Sequence, residues 1–241
     1  MNCVILAAGV GSRMRSLTAG RPKCLVKVRD TPVIDFVISS AKEAGIQRMC
    51  IVVGHLGEQV VEYTSRRWGG EVWLDYVWQN RLDGTASALA LALAQCRPSY
   101  QDAGHLFVGA ADYVMPRSCV SELVMSQARS GKDIVLSLGA CPLLRRLRGG
   151  VVKLNSRHEP VRLYEKPSLL VALGRLSSLL LYVLPLSVER YCKAVPTSVR
   201  GERELPVAID AMLQDGVPAG GIVQSGVVDL ADALRQSSSR G

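Results

Sequence analysis

Residues 4–28 read VILAAGVGSRMRSLTAGRPKCLVKV: an apolar strand, a glycine-rich turn directly behind it, then spaced cations. The apolar run predicts a short buried strand over Cys3 to Ala8. Gly9 and Gly11 remove side chains where the backbone must turn and bring its N–H groups against an anion. Arg13 and Lys23 then supply the positive charge that phosphate oxygens need, so the stretch reads as a triphosphate site. A Walker loop requires G-x-x-x-x-G-K-[ST], which is absent. A dinucleotide fingerprint requires a third glycine where this chain has Met14. A plain strand-to-helix turn with surface cations is the remaining alternative, and Arg13, Pro22 and Lys23 in this order weigh against it.

Outward from this stretch, apolar periods of two and of about four residues alternate. Helical spacing spans Pro32 to Ala44 and stops at Gly45, Arg48 to Gly54 is a buried strand, and Gly57 to Trp68 is helical again. Glu71 to Gln79 alternates as a half-buried strand, with Val72, Leu74, Tyr76 and Trp78 expected on one face. A helix at Thr85 to Cys96, a strand at His105 to Ala110, a helix at Pro116 to Ser130 and a strand at Asp133 to Leu138 continue the rhythm. The expected fold class is α/β, a Rossmann-like, doubly wound, mostly parallel but mixed sheet with ligands at the carboxyl ends of its strands. Beyond Leu138 the elements shorten: strands at Gly150 to Leu154, Val161 to Tyr164 and Ser178 to Leu184, and helices at Leu186 to Lys193 and Glu204 to Gln214. No linker separates the halves, so residues 1–235 are read as one domain, 1–138 for the nucleotide and 139–235 for the acceptor, with 236–241 a flexible tail.

At 241 residues and 48% hydrophobic the chain can bury one large core. No apolar run approaches the ~20 residues of a membrane span and no signal peptide opens the chain, so a cytoplasmic protein without a membrane partner is expected. The seven cysteines show neither C-x-x-C nor zinc spacing and are expected to be reduced core residues. The net charge of +8 gathers only at Arg145, Arg146 and Arg148 and at Arg66 and Arg67. Aromatic residues are too few for a stacking platform, so nucleic acid is not an expected partner and the arginines read as a solvated face or substrate steering. A homo-oligomer is left open.

Two further constellations carry chemistry. In QNRLDGTASAL, from Gln79 to Leu89, the Gln79 amide can pair with the edge of a base, Gly84 lets backbone come close, and Thr85 opens a helix. HLFVGAAD ends an apolar strand on Asp112, which faces the ligand crevice and can hold magnesium against triphosphate oxygens; capping of the next helix is its plainer role.

Together LAAGVGSRM, RPKCLVKV and the Gln79 segment resemble the nucleotidyltransferases that make sugar nucleotides from a nucleoside triphosphate and a sugar 1-phosphate, with pyrophosphate as the other product. That resemblance implies that Arg13 and Lys23 embrace the phosphates as catalytic groups, that Leu6, Ala8, Gly9 and Gly11 line the nucleotide, and that Gln79, Gly84 and Thr85 take its base. Asp112 would bind Mg2+, with Asp229, in Gly226-Val227-Val228-Asp229, as second ligand. On the acceptor side it implies the Gly150 backbone and Glu165 for the sugar and Lys166 for its phosphate. Departures are Ala111 for the usual glycine, expected to crowd the nucleotide, Val207 for an aspartate and Val227 for a tryptophan. Among triphosphates the resemblance favours UTP or dTTP. Two alternatives stay open: transfer to a non-sugar alcohol phosphate such as inositol phosphate or phosphocholine, or a domain of this kind that only binds or regulates.

Overall fold

The structure, a computed structural model, describes residues 1–9, 20–100 and 104–238. Among these, nine strands form one mixed sheet. Its parallel block is β5 (Trp73–Trp78), β4 (Arg48–Val53), β1 (Asn2–Leu6) and β6 (His105–Ala110), side by side in that order. β11 (Leu176–Pro185) then runs antiparallel to β6 and pairs at its start with β9 (Gly150–Leu154), which in turn carries β10 (Pro160–Glu165), while β8 (Ile134–Gly139) pairs along the length of β11. Strands of both expected halves therefore interleave, since β11 and β12 (Ala219–Val223) both pair with β8.

Successive β1 side chains go to opposite faces, as the strand period of two requires. Val4 and Leu6 enter an apolar layer closed by α3 (Thr85–Tyr100), α7 (Val188–Ala194) and α8 (Leu205–Gln214). Cys3 and Ile5 enter the other, closed by α1 (Val33–Glu43), α2 (Gly57–Trp68), α4 (Cys119–Ser130) and α9 (Leu230–Ser238). A sheet covered on both faces explains why its central strands read as continuous apolar runs. None of the helices among the described residues is long and apolar enough to cross a membrane.

The face expected for Glu71 to Gln79 is present: Val72, Leu74 and Tyr76 join one layer, Trp78, though 40% exposed, lies against Gly57 at the start of α2 on that side, and Val77 joins the other layer. Two expectations change. The tail expected over 236–241 is helical to Ser238, because Leu230 and Ala233 bury one face of α9; residues 239–241 lie outside the described residues. Ala111 is buried in the layer of α1 and α4, so its methyl packs into the core instead of crowding the crevice.

Candidate active site

The order of strand addition reverses between the parallel neighbours β1 and β6, since β4 and β5 extend the sheet on one side of β1 and β6 begins the other. A crevice opens outside the carboxyl ends at such a point. The β1 end leads through Ala7 and Ala8 to Gly9, and a Cβ on Gly9 would meet nothing within 4 Å among the described residues. The β6 end leads through Ala111, whose N–H donates to the Leu6 carbonyl at 3.1 Å, to Asp112.

Lys23 reaches Asp112 from a single 3-10 turn, Lys23–Leu25, started by Pro22 and anchored by the buried Cys24. Its ammonium forms an ion pair with the Asp112 carboxylate, both side chains being partly exposed to the crevice. The structure thus brings together the expected phosphate-binding cation and the expected metal-binding carboxylate, 89 residues apart in the chain. Arg13 and Gly11 lie outside the described residues.

Asp229 arrives on a short ribbon. β13 (Val228–Asp229) pairs antiparallel with β7 (Tyr113–Val114), Asp229 opposite Tyr113, and the Leu230 N–H donates to the Asp112 carbonyl at 2.8 Å. Asp229 on β13 is therefore held beside Asp112, which lies in the turn just before β7. The Asp229 carboxylate has two tasks: Oδ1 accepts the Asp232 N–H at 2.8 Å, capping α9, and Oδ2 lies 2.6 Å from Nη1 of Arg145. The same Nη1 lies 2.5 Å from Oδ2 of Asp232. Burial works against the Arg145 charge, yet Tyr113, Asp229 and Asp232 outweigh it and the net shift of its pKa is upward. Two of the three clustered arginines are accordingly not part of a solvated face: Arg145 sits in this network and Arg146 donates to the Ala172 and Arg175 carbonyls at 3.0 and 3.1 Å, while Arg148 is exposed.

Gln79 is buried at the end of β5, its N–H bonded to the Val53 carbonyl at 2.8 Å. Its side-chain Nε2 donates to Asp83 Oδ1 and to the Gly84 carbonyl, both at 3.1 Å. With both amide hydrogens engaged, the carbonyl Oε1 is what the side chain has left to offer a base. Gly84 has φ +109°, and a Cβ there would lie 2.3 Å from the Arg203 carbonyl oxygen, so the close approach it permits is that of the Arg203 backbone. Thr85 opens α3 as expected, while its hydroxyl accepts the Leu205 N–H at 2.8 Å and caps α8 instead. The nucleotide-side loop is thereby fastened to the acceptor-side segment 203–205.

On the acceptor side, β9 and β10 set Gly150 directly opposite Glu165, and a Cβ on Gly150 would stand 3.6 Å from Glu165 Oε2. Lys166 follows in a left-handed conformation, φ 46°, fixed by its N–H bond to the Gly149 carbonyl at 2.9 Å. Its ammonium pairs with Glu204, and lies 3.8 Å from both Glu165 and Glu202. Burial first, then the charge of Glu204, push the Glu165 carboxyl up to about 7, against the opposing pull of Lys166 and Arg200. Glu202 and Glu204 come from a segment more than thirty residues downstream, so their convergence on Lys166 is tertiary.

A family model described as nucleotidyl transferase matches residues 2–230, and the chain belongs to that family. A CTP:phosphoglutamine cytidylyltransferase of Campylobacter jejuni is 30% identical over 144 residues, 59% of this chain and 55% of that protein. A UTP–glucose-1-phosphate uridylyltransferase of Haloferax volcanii is 27% identical over 220 residues, 90% of this chain and 85% of that protein. This chain thus spans little more than half the length of the first of these relatives. In fold it is similar to a UDP-glucose pyrophosphorylase solved with UDP-glucose, TM-score 0.84 at 18% identity, covering 100% of this chain and 99% of that one.

Proposed function

We propose that the chain transfers a nucleotidyl group from UTP or dTTP to the phosphate oxygen of a sugar 1-phosphate, giving a nucleoside diphosphate sugar and pyrophosphate. One observation carries this reading: Lys23 and Asp112 meet at the carboxyl ends of β1 and β6, where the sheet opens a ligand crevice. No protein nucleophile is needed. The acceptor phosphate oxygen attacks the α-phosphorus, the bond to the leaving pyrophosphate breaks in line, and the protein contributes position and charge. Lys23 and Arg13 would steady the triphosphate, Gln79 the base, and Glu165 and Lys166 the acceptor.

Asp112 and Asp229 would hold Mg2+. Their carboxylates are hard oxygen donors, Asp229 on β13 and Asp112 in the turn before the paired strand β7, and each already faces a cation of the chain, so the donor set fits. Bound there, the ion would neutralise charge developing on the phosphates.

A second reading takes CTP and a non-sugar acceptor. Three carboxyl groups, Glu165, Glu202 and Glu204, gather at Lys166, with Arg200 as a further positive neighbour of Glu165, and carboxylates in this number can face an acceptor bearing an ammonium group. Gln79 is compatible with both, since uracil, thymine and cytosine all carry an N–H for its Oε1. Pyrophosphate release from UTP, dTTP, CTP, ATP and GTP, each with magnesium against a panel of sugar 1-phosphates and phosphocholine, separates the two. Release with CTP and phosphocholine alone replaces the first reading by the second, and no release with any pair removes both.

A further inference from the structure

Arg145 reads in the sequence only as part of a basic cluster, yet from its helix it pairs with Asp229 on the β7–β13 ribbon. It lies on the short helix α5 (Leu143–Arg146), and one of its nitrogens bridges Asp229 and Asp232 at 2.6 and 2.5 Å. Each oxygen of Asp229 already has a partner in the chain: Oδ1 accepts the Asp232 N–H and Oδ2 faces the guanidinium, which places a positive charge at the carboxylate. A divalent cation approaching Asp229 must therefore either displace the guanidinium or sit beside a like charge.

We infer that Arg145 is a positioning residue that guards Asp229: in the protein without nucleotide it occupies the place of a cation and keeps divalent metal affinity low. Asp232 is its second anchor, so the guanidinium can yield Asp229 Oδ2 without losing all compensation for its charge. The anionic phosphates of an incoming nucleotide provide the other counter-charge, and a guanidinium fork suits phosphate as well as carboxylate. Metal and nucleotide then bind together. This rests on the reading of Asp229 as a metal ligand.

The test is a titration of Mn2+ into the intact protein without nucleotide, free ion read by electron paramagnetic resonance, on the parent, Arg145→Gln, Asp229→Asn and the double variant. Removing a positive charge a few ångströms from the ion, at an effective dielectric between those of water and protein, tightens binding by roughly tenfold or more. The expected result is that gain in Arg145→Gln and its loss when Asp229→Asn is added. Binding in Arg145→Gln no tighter than in the parent, with Asp229→Asn weaker than the parent, overturns the guard while leaving Asp229 a ligand. Equal binding in the parent and Asp229→Asn, with the double variant as tight as Arg145→Gln, overturns the ligand role and the guard with it. Thermal melting with and without Mn2+ reads the same linkage, and Arg145→Met, which keeps the aliphatic stem, replaces the glutamine variant if that one does not fold.

Discussion

Replacing Glu165 by glutamine should stabilise the protein at alkaline pH and leave its stability unchanged in acid. Burial and Glu204 raise this carboxyl from its ordinary 4.5 to about 7. At ~1.36 kcal/mol per pH unit, that gap corresponds to a cost on the order of 3 kcal/mol for keeping Glu165 ionised in the folded protein. The folded state holds the proton more tightly than the unfolded chain, so the contribution of Glu165 is fully present below pH 4.5 and is lost as pH rises through about 7. Glutamine has the same shape and no proton to lose. Its advantage should be near zero at pH 4.5 and reach on the order of 3 kcal/mol at pH 8.5, the attraction of Lys166 for Glu165 being already contained in that figure. Urea unfolding of both proteins at the two pH values measures this, because perturbations common to both cancel in the difference. A variant no more stable than the parent at pH 8.5, or one equally favoured at pH 4.5, shows that Glu165 is not held near neutrality by its surroundings.

Lys23→Ala should lower turnover by on the order of 10²-fold while the protein stays folded, since a preorganised cation beside developing charge is worth several kcal/mol; near-parental pyrophosphate release would remove Lys23 from the chemistry. Asp112→Asn should reduce the rate and raise the magnesium needed for half-maximal activity together, and a magnesium titration identical to the parent's would deny Asp112 that role. Gly84→Ala should destabilise by ~2 kcal/mol or more, because its Cβ would lie 2.3 Å from the Arg203 carbonyl oxygen at a φ of +109°; an unchanged melting temperature contradicts that packing. Gln79→Ala should flatten the preference among triphosphates more than it slows the best one, at ~1–3 kcal/mol for an unpaired buried group, and competition kinetics with equimolar triphosphates decide the point.

Much of the fold was legible because its signals are local. The helix Gly57 to Trp68 and the strands His105 to Ala110 and Gly150 to Leu154 have the bounds that periodicity gives. β12 escaped because Ala219-Gly220-Gly221-Ile222-Val223 has no alternation, and only its parallel register on β8 makes it a strand. β7 and β13 escaped because two-residue strands have no period. Arg145 looked like part of a basic surface, since its partners Asp229 and Asp232 lie more than eighty residues downstream.

The sequence alone determined which residue types stand at the ends of which strands: the glycine turn after β1, Asp112 after β6, Gln79 after β5 and Glu165 at the end of β10. These follow from apolar runs and turn residues a few positions apart, where backbone geometry leaves few choices. Only the tertiary structure decided which charges share a neighbourhood. Lys23 with Asp112, Arg145 with Asp229 and Lys166 with Glu204 each join distant segments whose approach is set by the sheet order. Coulombic partnership falls off within a few ångströms in a screened medium, and such distances exist only once the strands have paired.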